Sequence, residues 1–293
     1  MQQVLIAGAS GFLGSFFKQR LEAEGYMVHS LGRSGPLCWE DKDAIVNTME
    51  QCDTVINLCG HTIGCRHTPE NRRLIVESRV QSTRDIATAM QLCRNAPRLW
   101  INAGGNTIYP RSYDKAYTEY DPTGDDCFMY QVCKAWEDAF FEPQLPNTRR
   151  VVLRTGIVLA ASGGIMDTLV ALSRRGLGGT VGSGRQMMSW IHIEDAYGIL
   201  KLIMTDRSIE GPVNLAAPEP LSNREFMRTL RRALKVPIGL PAPAWLVRLT
   251  APITNTEPYL ALDSYYTISK VLPQHGYQFR FPDLKAAFAD FFK

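Results

Sequence analysis

The 293-residue chain carries 32 Lys and Arg against 29 Asp and Glu, a net charge of +3, and is 45% hydrophobic and 21% charged. This is ordinary globular composition, which excludes a disordered chain, and the small, scattered positive excess excludes a nucleic-acid surface. No run reaches the roughly 18 apolar residues of a membrane helix, and the N-terminus enters a strand without a charged leader or cleavage site, so a cytoplasmic protein with no membrane partner is expected.

The first stretch organises the rest. Gln2 to Ala7 is a short apolar run, glycines follow at Gly8, Gly11 and Gly14, and a helical pattern begins at Ser15. Strand, tight turn and helix start in that order form a pyrophosphate cradle, because glycine accepts positive φ, leaves room for the diphosphate and lets the helix pack close. Gly8, Ser10, Gly11, Phe12, Leu13 and Gly14 are therefore candidate cofactor-binding residues. The helix should reach about Glu24, with Gly25 as its stop, and Tyr26 to Leu31 reads as a second strand. It ends in Gly32-Arg33-Ser34. An NAD site places a carboxylate about 20 residues past the glycines, whereas arginine there accommodates a 2′-phosphate, so Arg33 argues for NADP.

Asp41 to Cys52 reads as a helix, and Thr54 to Gly60 as a buried strand closed by glycine. A polar loop from His61 to Thr68 leads into a long amphipathic helix, Pro69 to Arg94, and another buried strand, Arg98 to Ala103, ending in Gly104-Gly105. Gly124 to Glu142 holds a helix, and Arg150 to Arg154 is the next strand. Strand and helix alternate throughout, which predicts an α/β fold with a parallel, doubly wound sheet. Beyond residue 160 the pattern loosens. A helical piece starts at Ser162-Gly163-Gly164, glycines crowd at 176, 178, 179, 182 and 184, and the chain returns at Ser189 to Ile193 and Pro212 to Leu215. The expected division is a nucleotide-binding domain over 1–160, joined again by 189–220, and a smaller, mostly helical lobe from 161–188 and 221–293.

A glycine turn only binds a dinucleotide; a reaction needs a proton donor beside the nicotinamide. Tyr130 and Lys134 supply the candidate pair, because i,i+4 spacing puts both on one helix face, where the ammonium can lower the phenol pKa and reach the nicotinamide ribose. The YxxxK spelling is unspecific, since Tyr197 with Lys201 and Tyr266 with Lys270 repeat it. Only Tyr130 lies on the helix that follows the strand ending at Ala103. Position selects it.

Together, Gly8-xx-Gly11-xx-Gly14, Asn57 to Gly60, Tyr130-xxx-Lys134 and Trp190 to Asp195 resemble the extended, epimerase/dehydratase branch of the short-chain dehydrogenase/reductase superfamily. Trp136-Glu137, Leu153 to Leu159, Gly176 to Gly184 and the tail from His275 to Leu284 are similar to its atypical epimerase-family, SulA-like group. The resemblance runs nearly end to end. It implies a Rossmann-type sheet with a small C-terminal lobe, bound NADP, and cofactor contacts at Leu58, Gly60, Tyr130 and Lys134. It further implies a small-molecule substrate, a carbonyl, alcohol or sugar derivative, and a homodimer paired through helices beside the sheet. Extended reductases also carry a Ser or Thr just after the strand ending near Ala103, to polarise the substrate carbonyl. This chain reads Gly104-Gly105-Asn106-Thr107, with Thr107 or Asn106 as the replacement donor and Thr107 the candidate catalytic residue.

Two readings follow. One is an NADP(H)-dependent oxidoreductase or epimerase-like enzyme using Tyr130, Lys134 and Thr107. The other is a catalytically silent NADP(H)-binding sensor or scaffold. His192 reads as a structural hydrogen-bonding residue, Asp195 as the cap or anchor of the same turn, and Trp100 and Trp136 as core. Arg174, Arg175 and Arg185 are either surface charge or a clamp for an anionic substrate. His61, Cys65 and His67 fit no metal pattern, and seven cysteines without CxxC suggest neither disulfides nor zinc.

Overall fold

The computed structural model describes residues 2–293. The chain opens β1 (Gln3–Ala7), α1 (Phe12–Ala23), β2 (Met27–Gly32), β3 (Leu37–Cys38), α2 (Lys42–Met49), β4 (Thr54–Asn57), α3 (Pro69–Leu92) and β5 (Leu99–Gly105). A single 3-10 turn, Asn106–Ile108, precedes α4 (Phe128–Phe141), β6 (Arg149–Thr155), β7 (Ile157–Leu159) and α5 (Gly164–Arg174). Next come β8 (Met187–Met188), β9 (Trp190–His192), α6 (Ile193–Thr205), β10 (Gly211–Leu215) and β11 (Leu221–Ser222). The tail is helical: α7 (Asn223–Ala233), α8 (Ala244–Thr254), α9 (Tyr259–Leu262), α10 (Val271–Gln274) and α11 (Leu284–Phe291).

Seven strands form one parallel sheet in the order β10-β6-β5-β4-β1-β2-β3. The order reverses between β1 and β4, the switch point above which an open α/β sheet binds its ligand. Val4, Leu5, Ile6, Val55, Ile56, Trp100, Ile101, Val151 and Val152 are fully buried, since helices cover both faces. One face packs on α1 and α6 through Phe17, Leu21, Tyr197 and Leu200. The other packs on α2, α3 and α4 through Met49, Ile86, Met90 and Phe140.

The return of the chain after residue 189 differs from a simple extra strand. β9 pairs in parallel with β7 in a separate two-stranded sheet, and only β10 joins the main one. β7 and β9 instead roof the third core, where Leu159 and Trp190 pack against Phe226, Leu230, Leu284 and Phe288 of the tail helices. Asp195 fastens this tail. Its carboxylate accepts from the Tyr277 hydroxyl (3.0 Å) and the backbone amides of Arg280 (2.7 Å) and Phe281 (2.9 Å). The capping part of the expectation for Asp195 falls instead to His192, whose Nδ1 accepts from the Glu194 amide at 3.1 Å. Among the described residues no helix is long and apolar enough to cross a membrane.

Candidate functional site: an open cleft at the switch point

The glycine turn is built from backbone. Gly8 takes φ +83°, and a Cβ there would lie 3.0 Å from the Leu58 carbonyl, so the turn rests directly on the end of β4. A Cβ at Gly14 would fall 2.2 Å from the Gly8 oxygen, and its absence lets α1 start tight against β1. Gly11 then precedes α1 with no side-chain cap and no acidic residue in the first turn. The amides of Phe12, Leu13 and Gly14 find no acceptor among the described residues. By contrast α2, α3, α4, α6, α7 and α11 are capped by Asp41, Thr68, Cys127, His192, Ser222 and Asp283.

Orphan amides at an exposed helix N-terminus are a receptor for an anion, and the positive dipole end adds to it. Ser10 and Gly11 lie exposed beside them. A diphosphate therefore fits the turn. Gly163 and Gly164, both at positive φ, lean on the Phe12 ring, where added Cβ atoms would come within 2.9 and 3.2 Å of it. Arg33 is exposed after β2, makes no ion pair among the described residues, and lies near enough to Cys59 to oppose the burial that pushes that thiol up to about 12.

The other end of the cleft is built from side chains. β5 runs on to Gly105, and a Cβ there would sit 2.9 Å from Cys133 Sγ and 3.4 Å from Thr107 Oγ1. The hydroxyl of Thr107 thus stands where a side chain at 105 would point, held at 3.0 Å by the Cys133 thiol. Asn106 turns away to the tail, with its Nδ2 3.5 Å from Thr267 Oγ1. Tyr130 is half-buried in the first turn of α4 and packs against the cluster of Ile108, Tyr109 and Cys133. The structure therefore gathers Thr107 and Tyr130 around Cys133.

Lys134 departs from its expected place. Its Nζ donates to Asp138 Oδ2 at 2.6 Å, one turn further on, and both side chains are exposed. That hydrogen bond and charge raise the ammonium pKa. Tyr197 and Lys201, the second YxxxK, lie against α1, where Lys201 meets Glu24 and Tyr26. Arg174, Arg175 and Arg185 are exposed. His67 bonds the Tyr259 hydroxyl and the Ile63 carbonyl, and Trp136 is buried with its Nε1 on Thr83 Oγ1 at 3.0 Å.

Beside α4 a cavity of about 350 Å³ is lined by Arg72, Arg111, Asp126, Phe128, Gln131 and Tyr259, among others. Phe128 and Gln131 on either side of Tyr130 line it, and Tyr130 does not. Three residues were missed by the sequence reading. Cys133 and Glu137 lie inside the α4 pattern, and Arg79 lies on α3 in line with buried Ile75 and Thr83, a periodicity that would have flagged it.

A parallel sheet with an open glycine turn at its switch point, and a threonine and tyrosine gathered at the end of β5, defines a Rossmann-type dinucleotide-binding protein of the short-chain dehydrogenase/reductase kind. Residues 4–216 match the NAD dependent epimerase/dehydratase family, and residues 242–291 match a domain of unknown function, DUF1731. The chain belongs to the NAD dependent epimerase/dehydratase family. It is 34% identical over 297 residues to the human Epimerase family protein SDR39U1, covering 97% of this chain and 98% of that one. The crystal structure of human SDR39U1 with NADPH superposes with a TM-score of 0.91 at 32% identity over 99% of both chains. A nucleoside-diphosphate sugar epimerase from Corynebacterium glutamicum gives 0.78 at 27% identity, covering 98% of this chain and 57% of that one.

Proposed function

We propose that this chain binds NADP(H) across the carboxyl ends of β1, β4 and β5 and uses it to oxidise or reduce a small carbonyl or alcohol substrate. The observation that carries the reading is the uncapped N-terminus of α1 behind Gly8, Gly11 and Gly14, in a chain that shares its whole fold with a relative solved with NADPH. Arg33, with no ion pair among the described residues, supports a 2′-phosphate at the adenine end. Seven free cysteines fit a reducing, cytoplasmic compartment, and a homodimer is the assembly to test for.

NADP(H), when bound, supplies or accepts the hydride. The Tyr130 phenol gives its proton to the substrate oxygen in reduction and takes it back in oxidation. Thr107, its hydroxyl fixed by Cys133, donates a hydrogen bond to the same oxygen in place of a residue at 105. Tyr130→Phe should lower turnover at least about a hundredfold, the usual reach of a general acid, while NADPH affinity stays nearly unchanged. Full activity in that variant would refute the role of Tyr130.

Two observations favour the silent NADP(H)-binding reading. Lys134 is committed to Asp138, and Gly105 has neither a hydroxyl nor room for one. Incubation with NADPH and a panel of carbonyl compounds and nucleotide sugars decides the matter by absorbance. Oxidation of NADPH with any of them supports the enzyme, and tight binding with no oxidation across the panel supports the sensor.

A further inference from the structure

Arg79 lies on the third turn of α3, and no carboxylate pairs with it among the described residues. Its Nη1 donates to two backbone carbonyls, Ile75 at 2.9 Å and His61 at 3.0 Å. The guanidinium stands over the Trp136 ring, 5.1 Å from its centroid. Its Nε and Nη2, the fork edge suited to a bidentate oxyanion, have no acceptor among the described residues. That edge is bare because residue 60 is glycine: a Cβ there would lie 2.9 Å from Cζ, 3.0 Å from Nη2 and 3.3 Å from Nε.

Position gives this cation a ligand. Gly8 touches Leu58 and Cys59, and Gly60 is the next residue, so Arg79 follows the diphosphate turn directly along the cleft. On its far side Arg79 is close enough for its charge to act on Cys133, the residue that holds Thr107 and lies one turn past Tyr130. A dinucleotide stretched from the glycine turn to Tyr130 must pass the open fork. Lys134, the cation expected at the nicotinamide ribose, donates instead to Asp138.

We propose that Arg79 binds the nicotinamide-side phosphate of NADP(H) through its Nε–Nη2 edge, with Gly60 keeping that edge uncovered. The inference rests on the NADP(H) reading above. Burial already holds the guanidinium below its ordinary pKa, as expected of a cation lacking an anionic partner. A bound phosphate supplies the missing charge.

The test compares two ligands on the full chain by titration calorimetry. NADPH carries both diphosphate phosphates and the 2′-phosphate, whereas adenosine 2′,5′-bisphosphate lacks the nicotinamide-side phosphate. Arg79→Met should weaken NADPH about tenfold or more, with a shallower salt dependence, and leave adenosine 2′,5′-bisphosphate unchanged. Arg79→Lys should recover part of the loss, while Arg33→Met should weaken both ligands. Equal weakening of both ligands by Arg79→Met would mark Arg79 as structural, and unchanged NADPH binding would equally overturn the proposal. If the unaltered protein binds no NADPH, the cofactor reading itself falls; if it does and only the Arg79 result fails, that reading stands without this residue.

Discussion

Two arginines, half-buried Arg79 and buried Arg154, solve the same electrostatic problem in opposite ways. Arg154 on β6 meets Glu137 of α4 in a two-pronged pair, Nε to Oε1 at 2.9 Å and Nη2 to Oε2 at 2.8 Å, with both side chains under a tenth exposed. Its Nη1 donates to the Tyr109 hydroxyl at 2.7 Å, which donates to Asn214 at 3.0 Å. The Asn214 amide donates in turn to Glu119, which also receives the Lys270 amide at 2.9 Å. Burial alone would lower the Arg154 pKa, but the Glu137 bonds and charge hold it above its ordinary value. Every group in this network has a partner, and it ties α4, β6 and β10 to the tail. Arg79 has two carbonyls, an aromatic face and a bare edge. A cation with a full set of partners is architecture; one with an open edge, lying along a cleft, waits for an anion.

The comparison breaks first on stability. Arg154→Met leaves Glu137 buried without its counter-charge and should cost about 3–5 kcal/mol in urea unfolding, with much of the loss recovered by adding Glu137→Leu. A cost below about 1 kcal/mol would mean that the network is not structural.

His192 sharpens the comparison, because unlike arginine it can shed its charge. It is stacked between Phe281 and Phe291, its Nε2 has no hydrogen-bond partner, and Asp290 stands 3.6 Å away. Burial lowers its pKa from 6.5 to about 4, with Asp290 opposing. The unfolded chain therefore binds the proton more readily, so stability is full above about pH 6.5 and falls as pH drops toward 4, by up to roughly 3 kcal/mol. His192→Asn keeps a capping side chain and removes the titration. Its melting temperature should vary less with pH across that window than that of the unaltered protein, and an identical pH profile would exclude His192 as the cause.

The smallest effect expected is again at Arg79. Without ligand, Arg79→Met loses two carbonyl bonds but also removes an unpaired, half-buried charge, so unfolding free energy should move by no more than about 1 kcal/mol. A loss as large as that of Arg154→Met would place both arginines in the same structural class.

The sequence by itself determined the parallel sheet and the glycine turn, and it placed Tyr130, alone of three YxxxK tyrosines, on the helix that follows β5. Those signals are local or periodic: positive φ at Gly8, apolar strands between amphipathic helices, and the order of one helix after one strand. Only the tertiary structure decided which charges meet. Lys134 chose Asp138 four residues away over the cleft, β9 left the main sheet for β7, and Cys133 and Thr107 together fill the space a side chain at 105 would need. Arg79 and Gly60 meet across nineteen positions of sequence, and Arg154 and Glu137 across seventeen. Such pairings are set by packing at angstrom scale between separate elements, which no spacing along the chain encodes.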